Sequence, residues 1–196
     1  MPISTFKVLG LTWDTRKDTL SMAFHRAIED VNNHMKMTKR KVLSIAAKLF
    51  DPLGFIEPFL VKAKIMIQNL WKAKLDWDDE LPDHLAKEWR LWLEDNKHLT
   101  SITVRRSYFS TGNPQTVQMH VFCDSSTKTY EEVVYLRSTT KIGVQVSMVM
   151  SKSRVSPLKK LTLPTLELLA ASVGSKLSRY IVDKLQSKFG KLHTFL

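Results

Sequence analysis

The feature that most narrows the fold is a change of hydrophobic period in the second half of the chain. Residues 117–124, 132–137 and 144–151 form three short runs of strand character separated by turn signals. From Pro164 a single apolar stripe follows, through Leu166, Leu169, Ala170, Val173, Leu177, Ile181 and Leu185. Side chains alternate every two residues in a strand and recur every 3.6 in a helix, so neither element alone satisfies this order. The pattern predicts an antiparallel meander and then a helix from 164 to about 188, with Pro164 in its first turn. A new apolar segment, 193–196, comes after it.

The first half has a different order. Residues 6–13 read as a strand, 14–18 as a polar turn and 19–24 as the returning strand of a hairpin. Near Thr38, a plausible N-cap, the period becomes helical, with Val42, Ile45, Ala46 and Leu49 on one face and Lys39, Arg40, Lys41 and Lys48 on the others. That helix is expected to end near Asp51, because Pro52 disfavours helical geometry in the residue before it and Gly54 supplies a turn. Pro58 opens a second helix with a stripe of Leu60, Ala63, Ile67, Leu70 and Trp71. An acidic loop over 75–82 leads to a third helix, 84–99, facing inward with Leu85, Trp89, Trp92 and Leu93. Gly112 and Pro114 make 110–115 the best linker. The expected class is α+β: an N-terminal hairpin and a three-helix basic subdomain in 1–109, then a β-β-β-α unit in 116–196. With 43% hydrophobic residues, five Trp and nine Phe spread along the chain, both parts have core material.

The formal charge is +11, and its distribution is more informative than its size. Residues 35–64 hold 7 basic against 2 acidic side chains and residues 137–196 hold 11 against 2, whereas 65–136 hold 8 against 11. Two positive blocks around an acidic middle fit two surfaces that each meet a phosphate backbone, although solvated lysine faces give the same pattern. In the first block Lys36, Lys39, Arg40, Lys41, Lys48, Lys62 and Lys64 are the candidate nucleic-acid contacts. Trp71, Trp77, Trp89 and Trp92 read as core, since three of them lie on apolar helix faces.

Cys123 is the single cysteine, so no disulfide can close within the chain, and six scattered histidines offer no zinc spacing. No stretch approaches the roughly 18 apolar residues that span a bilayer, and no leader pattern opens the chain. An intracellular setting, cytoplasm or nucleus alike, without membrane association is the expectation.

Two carboxylates are candidates for chemistry. Asp124 closes the strand Val121-Phe122-Cys123-Asp124, and Glu167 lies in the first turn of the long helix. Acidic oxygens brought to one sheet edge can hold Mg²⁺ ions about 4 Å apart for phosphodiester hydrolysis. A turn aspartate and a glutamate placed favourably for the helix dipole explain the same two residues without a metal.

Longer motifs add to this. Asp124-Ser125-Ser126 at a strand end, two further strands, and then the run Ser151-Lys152-Ser153-Arg154-Val155-Ser156-Pro157-Leu158 to Leu163-Pro164-Thr165-Leu166-Glu167-Leu168 resemble the BEL/Pao retrotransposon Pol segment, where such a run begins a ribonuclease H-like domain. Upstream, Lys7-Val8-Leu9-Gly10-Leu11-Thr12-Trp13-Asp14 and the stretch 39–58, with Phe50-Asp51-Pro52-Leu53-Gly54 at its centre, are similar to the region after the polymerase palm, the primer grip and thumb. The resemblance covers nearly the whole chain. It implies an end of reverse transcriptase over 1–109 and the front of a ribonuclease H-like domain over 116–196, with RNA–DNA hybrid or primer–template and the rest of Pol as partners. It also implies that Asp124 and Glu167 are metal ligands for Mg²⁺, with the remaining acids of the site contributed by later sequence. Asp183, the nearest later acid, lies sixteen residues from Glu167 on one helix, about 24 Å away. The pair is therefore an incomplete set, and the isolated chain is expected to bind and not to cleave.

The sequence departs from the family pattern at Glu131 and Glu132, where small residues are usual, and at Thr165, where arginine is common. No aromatic-x-Asp-Asp signature of a polymerase occurs; Asp78-Asp79 sits in a loop after Trp77. An active ribonuclease H within a longer polyprotein is the alternative, as is an aspartic peptidase, the name the family stretch also carries. The peptidase loop needs a glycine after Asp-Thr/Ser, which Asp124-Ser125-Ser126 lacks.

Overall fold

The computed structural model describes residues 4–8, 10–22, 36–109, 114, 116–141, 143–190 and 192–196. The end of the expected return strand, residues 23 and 24, and the expected linker apart from Pro114 lie outside the described residues. The chain divides into two compact units, one of residues 1–52 and 58–106, the other of 53–57 and 107–196.

In the first unit, strands β1 (Thr5–Val8), β2 (Leu11–Asp14) and β3 (Thr19–Met22) form an antiparallel meander that β4 (Thr103–Arg105) extends on the β3 side. The sequence pattern predicts one strand over 6–13, and the structure splits it. Gly10 has φ +80, which only glycine adopts freely, and a Cβ there would come within 2.9 Å of the Phe50 ring. The expected polar turn forms because Asp14 Oδ1 accepts hydrogen bonds from the backbone amides of Arg16 and Lys17.

Helix α1 runs over Lys39–Lys48, and Thr38 Oγ1 accepts from the Lys41 amide at 3.4 Å as its N-cap. It stops three residues short of Asp51, because Leu49 already leaves helical geometry. Helix α2 spans Glu57–Lys72 and α3 Asp83–Asn96, followed by a 3₁₀ turn, Lys97–Ser101. Trp89 and Trp92 are buried and stacked 4.6 Å apart, and Trp92 Nε1 donates to the Phe59 carbonyl at 3.1 Å. Trp71 and Trp77 contradict the core expectation: they are 46% and 45% exposed and meet edge to face.

The second unit is built on β5 (Thr116–Ser125), β6 (Thr129–Thr140), β7 (Gly143–Val155), α4 (Leu163–Phe189) and β8 (His193–Phe195), with strand order β7-β6-β5-β8. β5, β6 and β7 are mutually antiparallel, and β8 joins β5 in parallel. α4 is thus the crossover that returns the chain for a parallel strand. The registers Val117↔Ser138, Met119↔Leu136, Val121↔Val134 and Cys123↔Glu132 place one continuous row beneath α4. Valine, leucine and methionine of this row pack with Ile181 and Leu192 as the core.

The stripe on α4 differs in detail from the periodicity. Leu166, Ala170, Gly174, Ser178 and Ile181 are buried, a ridge at i, i+4 spacing with small residues at its centre, while Leu169, Val173, Leu177 and Leu185 flank it half-buried. Small residues let the helix approach the sheet, and a Cβ on Gly174 would overlap Cys123 Sγ.

Residues 53–57 belong to this second unit and cover the outer edge of β7. The Ser151 amide donates to the Leu53 carbonyl at 3.0 Å, Ser151 Oγ donates to the Gly54 carbonyl at 2.5 Å, and Ser153 Oγ donates to the Glu57 carboxylate. An uncovered edge strand presents unpaired amides and carbonyls, and this short peptide satisfies one of them. Gly54, at φ +76, has no room for a side chain against Ser151.

Candidate functional site

β5 carries Asp124 to the end of the sheet at which α4 begins, because α4 runs back antiparallel to β5. Gly174 packs on Cys123, and Glu167 lies seven residues earlier, about 10 Å further toward that end along the helix. The two carboxylates therefore share one end of the unit. They do not share a face. Cys123 points to α4, so alternation directs Asp124 to the opposite side, in the row of Gln118, His120 and Phe122. There its cross-strand partner is Glu131, and its Oδ1 accepts from the Ser125 amide at 2.8 Å. Both Asp124 and Glu167 are exposed.

Among the described residues no group of three or more His, Cys, Asp or Glu side chains is placed to hold a metal ion. The face that Asp124 shares also bears a shallow depression of about 280 Å³ lined by His120, Phe122, Tyr135, Arg137 and Val146.

One acid that the motif reading did not select is buried close by. Glu132, 1% exposed, lies under α4 beside Cys123, and Arg154 Nη1 donates to its Oε1 at 3.2 Å. Its Oε2 has no hydrogen-bond partner. Burial pushes its pKa up to about 7, the neighbouring Glu57 charge acts in the same direction, and the Arg154 and Lys152 charges oppose it. Burial and the Glu132 charge raise the Cys123 thiol as well, which keeps it from acting as a ready nucleophile. The signal for Glu132 was available in the alternation Glu132, Val134, Leu136, which places it in the apolar row.

The first basic block is closely tied to the acidic loop. Arg40 forms a two-pronged pair with Asp78, at 2.8 and 2.9 Å, which lowers the Asp78 pKa and raises that of Arg40. Lys36 pairs with Glu80 at 3.2 Å, and Lys41 Nζ donates to the Lys36 carbonyl at 2.9 Å. Lys39 is buried, with its ammonium 3.4 Å from the Trp71 ring centroid and 5.2 Å from that of Trp77, and it donates to the Leu75 carbonyl. The exposed tryptophans thus hold a lysine. Lys48 and Lys62 are exposed, and Lys64 is half-buried.

The two sheets and four helices make the chain α+β, and in the second unit α4 is the crossover that brings β8 back parallel to β5. The family described as Pao retrotransposon-like RNaseH-like domain matches residues 38–196, and the chain belongs to that family. The expected likeness to a Pao-type retrotransposon Pol segment is borne out. Among solved structures, "Structure of the foamy viral protease-reverse transcriptase in complex with RNA/DNA hybrid" superposes with a TM-score of 0.51 at 15% identity. The match covers 98% of this chain and 24% of that one, so the chain spans about a quarter of the length of the viral protein. No curated protein sequence matches the chain. Ribonuclease H-like domains generally work with divalent metals. Among the described residues no helix is long and apolar enough to cross a membrane.

Proposed function

We propose that this chain is a nucleic-acid-binding part of a retrotransposon Pol protein that engages an RNA–DNA hybrid or primer–template and carries part of a ribonuclease H-type site. The supporting observation is the combination of a ribonuclease H-like unit with a formal charge of +11. In this reading residues 1–109 correspond to the end of the reverse transcriptase, 110–115 to a linker and 116–196 to the start of the ribonuclease H-like domain. Asp124 and Glu167 would supply two ligands for Mg²⁺, which requires the Asp124 side chain at the strand end to turn toward the α4 side, and residues elsewhere in Pol would supply the others. Mg²⁺ bound there would polarise the scissile phosphodiester; this chain's contribution is to position two carboxylates at one end of the sheet.

Lys48, Lys62 and Lys64 keep their proposed role as phosphate contacts. Lys36, Arg40 and Lys41 would have to exchange the bonds described above for phosphate. Binding of a labelled hybrid should weaken steeply with added salt, and an affinity indifferent to salt would refute the reading. The same hybrid incubated with Mg²⁺ should remain uncut. Cleavage that disappears in Asp124→Asn and Glu167→Gln would instead establish the alternative, a nuclease complete within these 196 residues.

A further inference from the structure

We propose that the outer ridge of α4, formed by Lys176, Tyr180, Lys184 and Lys188, with Arg179 beside its Lys176 end, is the surface that holds a nucleic-acid phosphate backbone. The inference rests on the nucleic-acid-binding reading above and gives it a location. All but Tyr180 are cationic, all are exposed, and among the described residues no ion pair or side-chain hydrogen bond engages the four cations. The contrast with residues 36–41 is physical: those cations already face carboxylates, a carbonyl or indole rings, so phosphate must displace an existing partner. On α4 no carboxylate has to be displaced: phosphate replaces water and counterions, and at Lys184 and Lys188 the loose contacts with the Tyr180 and Phe189 rings at 5.8 and 5.5 Å.

The geometry suits a polyanion and not a single anion. Spacing of four residues carries Lys176, Tyr180, Lys184 and Lys188 about 18 Å along the helix in a row that winds about 120° around it, a path a phosphate backbone can follow obliquely. A nucleic-acid strand places one charge per about 3.4 Å of axis, so the ridge runs beside about five phosphates. Tyr180 is 52% exposed and Lys184 Nζ lies 5.8 Å from its ring, which leaves the tyrosine hydroxyl and the ammonium to reach adjacent phosphates. Exposed Ser175 and Ser187 add short hydroxyl donors. Asp183 is the one acid among these positions. The opposite side of the helix is fixed to the sheet through Ala170, Gly174 and Ser178, so the ridge is presented on a rigid element.

The test is fluorescence anisotropy of the full chain with a labelled RNA–DNA hybrid across a salt series. Neutralising Lys176, Arg179, Lys184 and Lys188 together to Gln should reduce the salt slope by about 3 to 4 and weaken low-salt binding by more than about tenfold. Asp183→Asn should tighten binding a few-fold. If the fourfold variant keeps its slope and affinity while Lys48, Lys62 and Lys64 changed to Gln lose theirs, the ridge is refuted and the nucleic-acid reading stands. If the unaltered chain binds no hybrid even at low salt, both fall. Lysine acetylation gives an independent measure without substitution: hybrid should protect Lys184 and Lys188, and equal modification with and without hybrid would overturn the proposal.

Discussion

Glu132 occupies a row whose neighbours Val134 and Leu136 are fully buried, and it has one oxygen without a partner. Its folded pKa of about 7 lies above the ordinary 4.5, so the neutral form is the one the fold accommodates. Below about pH 4.5 the carboxyl is neutral in both folded and unfolded chains. Between there and pH 7 the unfolded chain ionises first, and stability falls by ~3 kcal/mol before levelling above pH 7. Glu132→Gln should remove most of that decline, read as the difference between denaturation midpoints at pH 5 and pH 8; an unchanged difference would show that another group controls it. Gly174 makes a second residue-scale case. Gly174→Ala should destabilise by about 1–3 kcal/mol through overlap with Cys123 Sγ. Because the clash is with one atom, Cys123→Ala should recover much of the loss in a double-mutant cycle.

At the scale of elements, the sequence made α1, α2, α3 and α4 legible because their caps and stripes are local signals. Thr38 does cap α1, and Thr38→Ala should cost about 0.5–1 kcal/mol in a thermal melt. Boundaries were less legible where a glycine changes the backbone: the strand expected over 6–13 became a hairpin at Gly10. β4 was not foreseen, since three residues are too few for an alternation to register and the strand exists by pairing with β3. The peptide 53–57 is similar, because its hydrogen bonds to β7 join residues nearly a hundred positions apart. Gly54→Val should detach it, since φ +76 and the neighbouring Ser151 both exclude a branched side chain. The Ser151 amide, now bonded to Leu53, should then exchange with solvent at least tenfold faster.

For the whole molecule, the chain's own sequence determined the α+β class, the β-β-β-α order, the excess of positive charge and the family, because periodicity, composition and long ordered motifs are properties of the linear chain. It also named Asp124 from its place at a strand end and Glu167 from an expected place in a helix first turn; the helix begins at Leu163, which puts Glu167 just past that turn. Tertiary structure decided which face each carboxylate occupies, since that depends on the parity of β5 relative to the side on which α4 packs. It decided as well which cations have partners. Thirty basic residues look alike in a charge count, but carboxylates and tryptophans brought in from 71–80 engage those at 36–41, while the outer ridge of α4 faces solvent. Pairing across tens of residues is a matter of distance in the folded chain, and linear spacing does not carry it.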